Sequence, residues 1–303
     1  MEPLSLFQRK ILKSILSLSK FASTPAIHFL SGEIPIEGII HRDMYSLFYS
    51  LWCNPDLKIH HIVKYLMDNS NSNSHTWSIY MKHISKMYDI EDPTKCLARE
   101  PPGKYTYKNY IKAKITVFHE RELRRKAEQS EKMTYFNVSL SGLSGRPHPA
   151  ILNINTTNEV QKSRPHLKML CGDYITFWSK SKQYTHISPE CRLCYSSDGG
   201  DGGKYIDNIE HILTSCHTTL TIRSKILTEV RALCKQTKNK INFGNIEKNN
   251  TQLCQFMLDP SSLNLPIRVS ASDPILPRFF KLSRDYCYAI DKQRKLLLGK
   301  LNI

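Results

Sequence analysis

Apolar positions recur at helical spacing along the first third of the chain. Met44, Leu47, Phe48, Leu51 and Trp52 fall at i, i+3, i+4, i+7 and i+8, and Ile59, Ile62, Val63, Leu66 and Met67 repeat that pattern. Trp77, Tyr80, Met81, Ile84 and Tyr88 make a third stripe. This period gathers each set on one helix face, and each face requires burial against a neighbouring helix or a partner. Thr24-Pro25 reads as an N-cap followed by proline at N1, with Gly32 closing that segment. The Asn/Ser run 69–74 is a polar connector, while Asn54-Pro55 and Asp92-Pro93 break the helices.

Glu100-Pro101-Pro102-Gly103 marks a boundary. Beyond it, 106–133 reads as a helix with Ile111, Ile115 and Phe118 on one face. The Ser-, Gly-, Pro- and Asn-rich stretch 134–170 reads as extended loop. A helix over 218–236 carries Ile222, Ile226, Val230, Leu233 and Cys234 on its stripe. An Asn/Lys-rich connector, 237–250, and a helix over 279–298 complete the pattern. The expected fold is mostly α. It comprises a neutral helical bundle (1–100), a basic helix and loop linker (101–160), a metal-knuckle unit (161–240) and a helical tail (241–303). No uncharged apolar run approaches the roughly 18 residues that a spanning helix needs. Arg9, Lys10, Lys13 and Lys20 interrupt the first apolar stretch, which disfavours a secretory signal. Nine cysteines without that signal do not suggest a disulfide framework. An intracellular location, nuclear or cytoplasmic, is expected.

Charge changes the picture after residue 100. The 303 residues carry a formal +16, yet 1–100 holds 11 basic and 10 acidic side chains, against 32 and 17 in 101–303. A field of this sign attracts polyanions, nucleic acid foremost and anionic membrane second, unless it is only a solvated surface. The 106–133 helix carries Lys112, Lys114, Arg121, Arg124, Arg125 and Lys126 against Glu120, Glu122 and Glu128. Lys162, Arg164, Lys168, Lys180 and Lys182 interleave with Tyr174, Phe177 and Trp178. Lysine and arginine neutralise phosphates while rings stack on bases, although these aromatics also suit a core. Lys225, Arg231 and Lys235 lie off the apolar stripe of their helix.

The sharpest chemical signal is Cys191-x2-Cys194-x16-His211-x4-Cys216. The first pair forms a knuckle that offers two thiolates to one ion. His211 and Cys216 are five residues apart, about 140° around a helix, so Cys216 must sit where a helix ends and the chain turns back. Three thiolates and one imidazole make a closed tetrahedral set, which selects a structural Zn2+. His217 is the alternative donor for His211 or Cys216. Arg192 and Lys182 would favour the thiolates. The Asp198-Gly199-Gly200-Asp201-Gly202-Gly203 run reads as a flexible spacer within the finger. No phosphate-binding loop, zincin motif or Tyr-x-Asp-Asp occurs.

Several segments together resemble the region following the polymerase in LINE-type (non-LTR) retrotransposon reverse transcriptase polyproteins. They are Leu30-Ser31-Gly32-Glu33-Ile34-Pro35-Ile36-Glu37 with His41-Arg42-Asp43, and Ser74-His75-Thr76-Trp77. Next come Asn137-Val138-Ser139, Gly142-Leu143, Gly145-Arg146-Pro147-His148-Pro149, and His166-Leu167-Lys168-Met169-Leu170 with Gly172-Asp173-Tyr174. The Cys/His cluster within Ile209-Glu210-His211, and Phe279 with Lys281-Leu282-Ser283-Arg284-Asp285, complete the set. The resemblance runs nearly end to end. It implies that Cys191, Cys194, His211 and Cys216 bind zinc and that the surrounding basic residues contact template RNA or target DNA. It further implies that 1–100 docks on a separate polymerase domain. The polymerase fingers, palm and catalytic aspartates are absent, so the chain is not expected to polymerise by itself.

The sequence therefore points to a zinc-stabilised module with RNA or DNA as partner and no membrane partner. The alternatives are a zinc-containing protein-interaction adaptor and, third, a metal-dependent nuclease.

Overall fold

The computed structural model describes residues 2–69, 76–138, 142–143, 145–152, 154–197, 205–236, 243–262 and 275–301. Among them are fifteen α-helices and no strand, so the mostly α expectation holds. A single isolated antiparallel bridge pairs Glu190 with Ile206. No helix among the described residues is long and apolar enough to cross a membrane. The chain divides into two compact units. The first comprises Met1–Gln8, Glu33–Lys126 and Leu143–Gly145; the second comprises Arg9–Gly32, Ala127–Gly142 and Arg146–Ile303.

In the first unit the three stripes form the helices Ile36–Trp52, Lys58–Asn69 and Trp77–Tyr88. The buried faces differ from the apolar stripes. In Ile36–Trp52 the face is Gly38, His41, Tyr45, Phe48, Tyr49 and Trp52, while Leu47 is exposed. Tyrosines and a histidine take the inward positions because their polar ends find partners there. His41 Nδ1 lies 2.6 Å from the Tyr88 hydroxyl, His41 Nε2 2.7 Å from that of Tyr80, and Tyr88 reaches His119 Nε2 at 3.0 Å. In Lys58–Asn69 only His60, Val63 and Met67 are buried, leaving Ile59, Ile62 and Leu66 exposed.

The helix Lys104–Glu128 presents Tyr107, Ile111 and Ile115 to the core, with Tyr107 stacked on Tyr49 at 4.9 Å between ring centroids. Trp52 Nε1 donates to Arg99 O (2.8 Å) and the Tyr49 hydroxyl to Pro102 O (2.6 Å), fixing the boundary tract by its carbonyls. The helix Glu2–Ile15 buries none of its side chains.

The second unit is built around the last helix, Ile275–Lys300, which packs against Thr157–Leu170 and Leu220–Gln236. Thr157–Leu170 corrects the loop expected over 134–170. Thr156 accepts from the Glu159 N–H while the Glu159 carboxylate reaches back to the Thr156 N–H, a complete capping box. Pro165 sits inside this helix and is buried. The connector expected over 237–250 contains a short helix, Phe243–Glu247, whose Phe243 and Ile246 are buried; 237–242 lie outside the described residues. Helix Thr24–Ser31 begins one residue earlier than expected, with Ser23 as N-cap, and ends at Gly32.

Several segments quoted for the family resemblance meet in the core of this unit. The His148 N–H donates to Leu30 O at 2.8 Å, and Gly32, at φ +72°, lies so close to Arg146 that a Cβ would stand 2.2 Å from its carbonyl oxygen. Phe136 packs tilted on His148 at 5.2 Å between ring centroids, and His148 meets Phe280 edge-on at 5.8 Å. The buried Asp259 carboxylate accepts from Asn137 N–H (2.9 Å) and lies 3.7 Å from His148 Nε2. Each of the two buried phenylalanine rings contributes about 1.5–3 kcal/mol through area removed from water.

Candidate metal centre and basic surface

Cys191, Cys194, His211 and Cys216 are all buried, and one donor atom from each lies within 4.8 Å of every other. Cys194 Sγ is 3.4 Å from His211 Nε2 and 3.6 Å from Cys216 Sγ. This group can hold a metal ion. The local chain explains its shape. The bridge between Glu190 and Ile206, with Cys191 N–H on Tyr205 O (2.8 Å) and Asp207 N–H on Pro189 O (2.8 Å), closes the base of the finger. Asn208 then caps the helix Ile209–Thr214 through its side chain, which accepts from His211 N–H at 2.7 Å. The helix stops at Thr214, and Cys216 follows in extended conformation (φ −60°, ψ 126°), returning its sulfur to the cluster. That is the turn required by the five-residue spacing. His217 is exposed and its ring is not a member of the group, so the alternative ligand is set aside. Its backbone N–H instead bonds Cys194 sulfur. The spacer 198–203 lies outside the described residues.

Surrounding contacts orient the donors. His211 Nδ1 lies 3.4 Å from Ser215 Oγ, which leaves Nε2 for the cluster, and its ring stacks on Tyr205 at 5.3 Å. Thr218 Oγ1 lies 3.2 Å from Cys216 Sγ. A hydrogen bond between Cys191 and Cys216 pushes the Cys191 thiol up and holds Cys216 well below the thiol range, with His211 adding to the second effect. Leu297 and Leu298, from the last helix, pack against Cys191, Leu193, Cys194 and Cys216. Arg192, expected to favour the thiolates, lies over the Phe177 ring at 4.9 Å, and Lys182 is ion-paired with Glu131 at 2.6 Å.

No family model, curated protein or solved structure matches the chain. The site therefore rests on its own geometry. The strongest support that pattern reading missed is a buried ion pair. Arg294 and Asp207 side chains are 4% and 0% exposed. Arg294 Nη2 donates to Asp207 Oδ2 at 3.1 Å, while Nη1 lies 3.0 Å from Oδ1 off the hydrogen-bond axis, an ion-pair contact only. Asp207 Oδ2 also accepts from Phe177 N–H at 2.8 Å. One carboxylate thus joins the finger base, the helix Phe177–Ser181 and the last helix. Its partners lie 30 and 87 residues away in the chain, so no local pattern announces it.

The basic candidates separate into two groups. Lys114 pairs with Asp89 (2.6 Å), Arg124 with Glu120 (2.6 Å), Arg125 with Glu122 (3.2 Å), Lys162 with Asp285 (2.8 Å), and Arg231 with Glu247. Lys182, besides Glu131, lies 3.9 Å over the Trp178 ring. Lys112, Arg121, Lys126, Arg164, Lys180, Lys225 and Lys235 are exposed, Lys168 is half-buried, and none of these has a carboxylate partner among the described residues. Of the interleaved aromatics, Phe177 belongs to the core, Tyr174 is partly covered with its hydroxyl on Asp291 (3.0 Å), and Trp178 is exposed.

Proposed function

We propose that the second unit is a zinc-stabilised module that binds RNA or DNA. The reading is carried by a coincidence: the four-donor cluster lies in the unit that holds 28 basic against 15 acidic side chains. Zn–S bonds of about 2.3 Å and Zn–N bonds of about 2.0–2.1 Å give tetrahedral edges near 3.8 Å and 3.5 Å. The observed 3.6 and 3.4 Å suit such an ion. Four protein donors leave no position for a reacting water, so the metal's role is structural. It would supply on the order of 10 kcal/mol to the folding of its segment. The resemblance to the LINE-type post-polymerase region fits this role. A module of that kind would hold template RNA or target DNA beside a polymerase domain docked on 1–100.

The test combines metal analysis with oligonucleotide anisotropy on one purified sample. One zinc per chain is expected, with RNA or DNA affinity falling about a thousandfold between 50 and 200 mM salt for about six phosphate contacts. Absence of zinc, or no binding to either nucleic acid at 50 mM salt, would overturn the proposal.

One observation favours the adaptor reading as a second function. The start of the helix Glu2–Ile15, in the first unit, turns Leu4 and Phe7 to solvent while Gln8 bonds Ile34 O and Ile36 N–H. A protein partner on this stripe would bind with little salt dependence.

A further inference from the structure

We infer that the second unit holds its nucleic acid as a single strand, laid along the segment 172–178, with unpaired bases stacking on Trp178 and phosphates on Arg164 and Lys168. This deepens the nucleic-acid reading and rests on it.

Two clefts flank the segment and share Tyr174 as a wall. One, of about 480 Å3, lies between Thr157–Leu170 and Ile275–Lys300, and its lining includes Arg164, Lys168, Ile175 and Tyr288. The other, of about 270 Å3, is lined by Lys132, Tyr135, Trp178 and Lys182 among others. The charge in the larger cleft does not balance. Asp173 already accepts from Ser19 N–H at 2.7 Å and from the Ser19 hydroxyl. Asp291 accepts from the Tyr174 hydroxyl at 3.0 Å and from Lys295 at 2.7 Å. Arg294 is consumed by Asp207. Arg164 and Lys168 remain, with no carboxylate partner among the described residues, and they point to an anion.

The ridge between the clefts is apolar at its exposed points. Ile175 is 68% exposed and Trp178 37%. A large aromatic at the surface, with uncompensated cations across the shared Tyr174 wall, is the pairing that single-strand binding uses. The ridge is also held in place. Thr176 Oγ1 accepts from Ser179 N–H at 3.0 Å, Phe177 N–H is held by Asp207 Oδ2 (2.8 Å), and Trp178 N–H by Asp207 O (3.3 Å). A fixed platform loses little conformational freedom on binding. A base that stacks on Trp178 either takes the face opposite Lys182 or displaces that ammonium, and in both cases it meets positive charge. Bases in a duplex are already stacked on each other, so the indole gains from unpaired bases only.

The experiment compares full-length wild type with Trp178→Ala, Trp178→Phe and Arg164→Gln/Lys168→Gln, using a twelve-nucleotide oligothymidylate and a duplex of equal length. Metal content and far-UV circular dichroism confirm the fold of each variant. Trp178→Ala should weaken single-strand binding roughly 5- to 150-fold, change duplex binding less than about twofold, and abolish most of the tryptophan quenching seen on binding. Trp178→Phe should restore most of the loss. The double charge variant should lower the salt slope by roughly 1.4. If Trp178→Ala leaves single-strand affinity unchanged, or weakens duplex binding equally, the inference falls while the nucleic-acid proposal stands. If wild type binds neither oligonucleotide at 50 mM salt, both fall.

Discussion

Removing the carboxylate of Asp207 should destabilise the second unit strongly without touching any of the four cluster donors. Asp207→Ala leaves the Arg294 guanidinium buried and unpaired, since its side chain is 4% exposed. Breaking a buried pair from one side costs about 3–5 kcal/mol. The variant also orphans the Phe177 N–H, now held at 2.8 Å, for about another 1 kcal/mol. The total is about 4–6 kcal/mol, comparable to the whole stability of many domains. In the wild type, burial lowers the Arg294 pKa, and Asp207 leads the groups that raise it above its ordinary value; with Asp207 gone the guanidinium still keeps its proton, because arginine does not deprotonate in proteins. Arg294→Met should cost about 3–5 kcal/mol. The double variant removes the stranded charge and should cost only about 1–3 kcal/mol, a positive coupling that a double-mutant cycle measures. Urea unfolding in saturating zinc, followed by circular dichroism and by exchange of amides in 157–170, gives the four stabilities. Losses that simply add, or a loss below about 1.5 kcal/mol for Asp207→Ala, would refute this account of the pair.

Three further outcomes are expected. Cys191→Ser should release the metal and unfold the 165–235 segment while the helices of 36–88 keep their exchange protection, and equal loss of protection in both units would contradict the two-unit organisation. His166 donates Nε2–H to Leu258 O at 2.6 Å, and its buried Nδ1 has no partner; burial pushes its pKa down to about 4. The unfolded chain therefore binds the proton first, and stability present above about pH 6.5 should fall by about 3 kcal/mol as pH drops to about 4. Urea midpoints across that window should show the slope, and His166→Gln should flatten it. Gly32→Ala should cost about 2 kcal/mol or more, because it combines a left-handed backbone with a 2.2 Å approach to the Arg146 carbonyl; a melting temperature within 2 °C of wild type would contradict that packing.

How much could be read from the sequence depended on how local each interaction is. The helices of 36–88 follow from periodicity, and the Cys/His cluster follows from spacing within 26 residues. The inward face of Ile36–Trp52 was not legible, because His41, Tyr45 and Tyr49 are buried through hydrogen bonds to residues some 40–50 positions away. Thr157–Leu170 was obscured by its composition and by Pro165, although Thr156-x-x-Glu159 is a helix-start signal in plain sight. Nor could local charge patterning distinguish Lys114, whose carboxylate lies 25 residues earlier, from Lys168, which has none among the described residues.

The leucines over the metal cluster set a clock. All four ligands belong to a short stretch, but Leu297 and Leu298 arrive on a helix that begins some sixty residues after the last ligand. A finger loaded with the proposed ion would capture it early and be covered only when the last helix docks. In reverse, a bound ion would be uncovered as that helix lifts. Chelator-driven metal loss should then become independent of chelator concentration once chelation outruns reclosure, and its limiting rate should be the opening rate of one helix. The escaping ion becomes a reporter for a local opening event that spectra of the whole chain would average away.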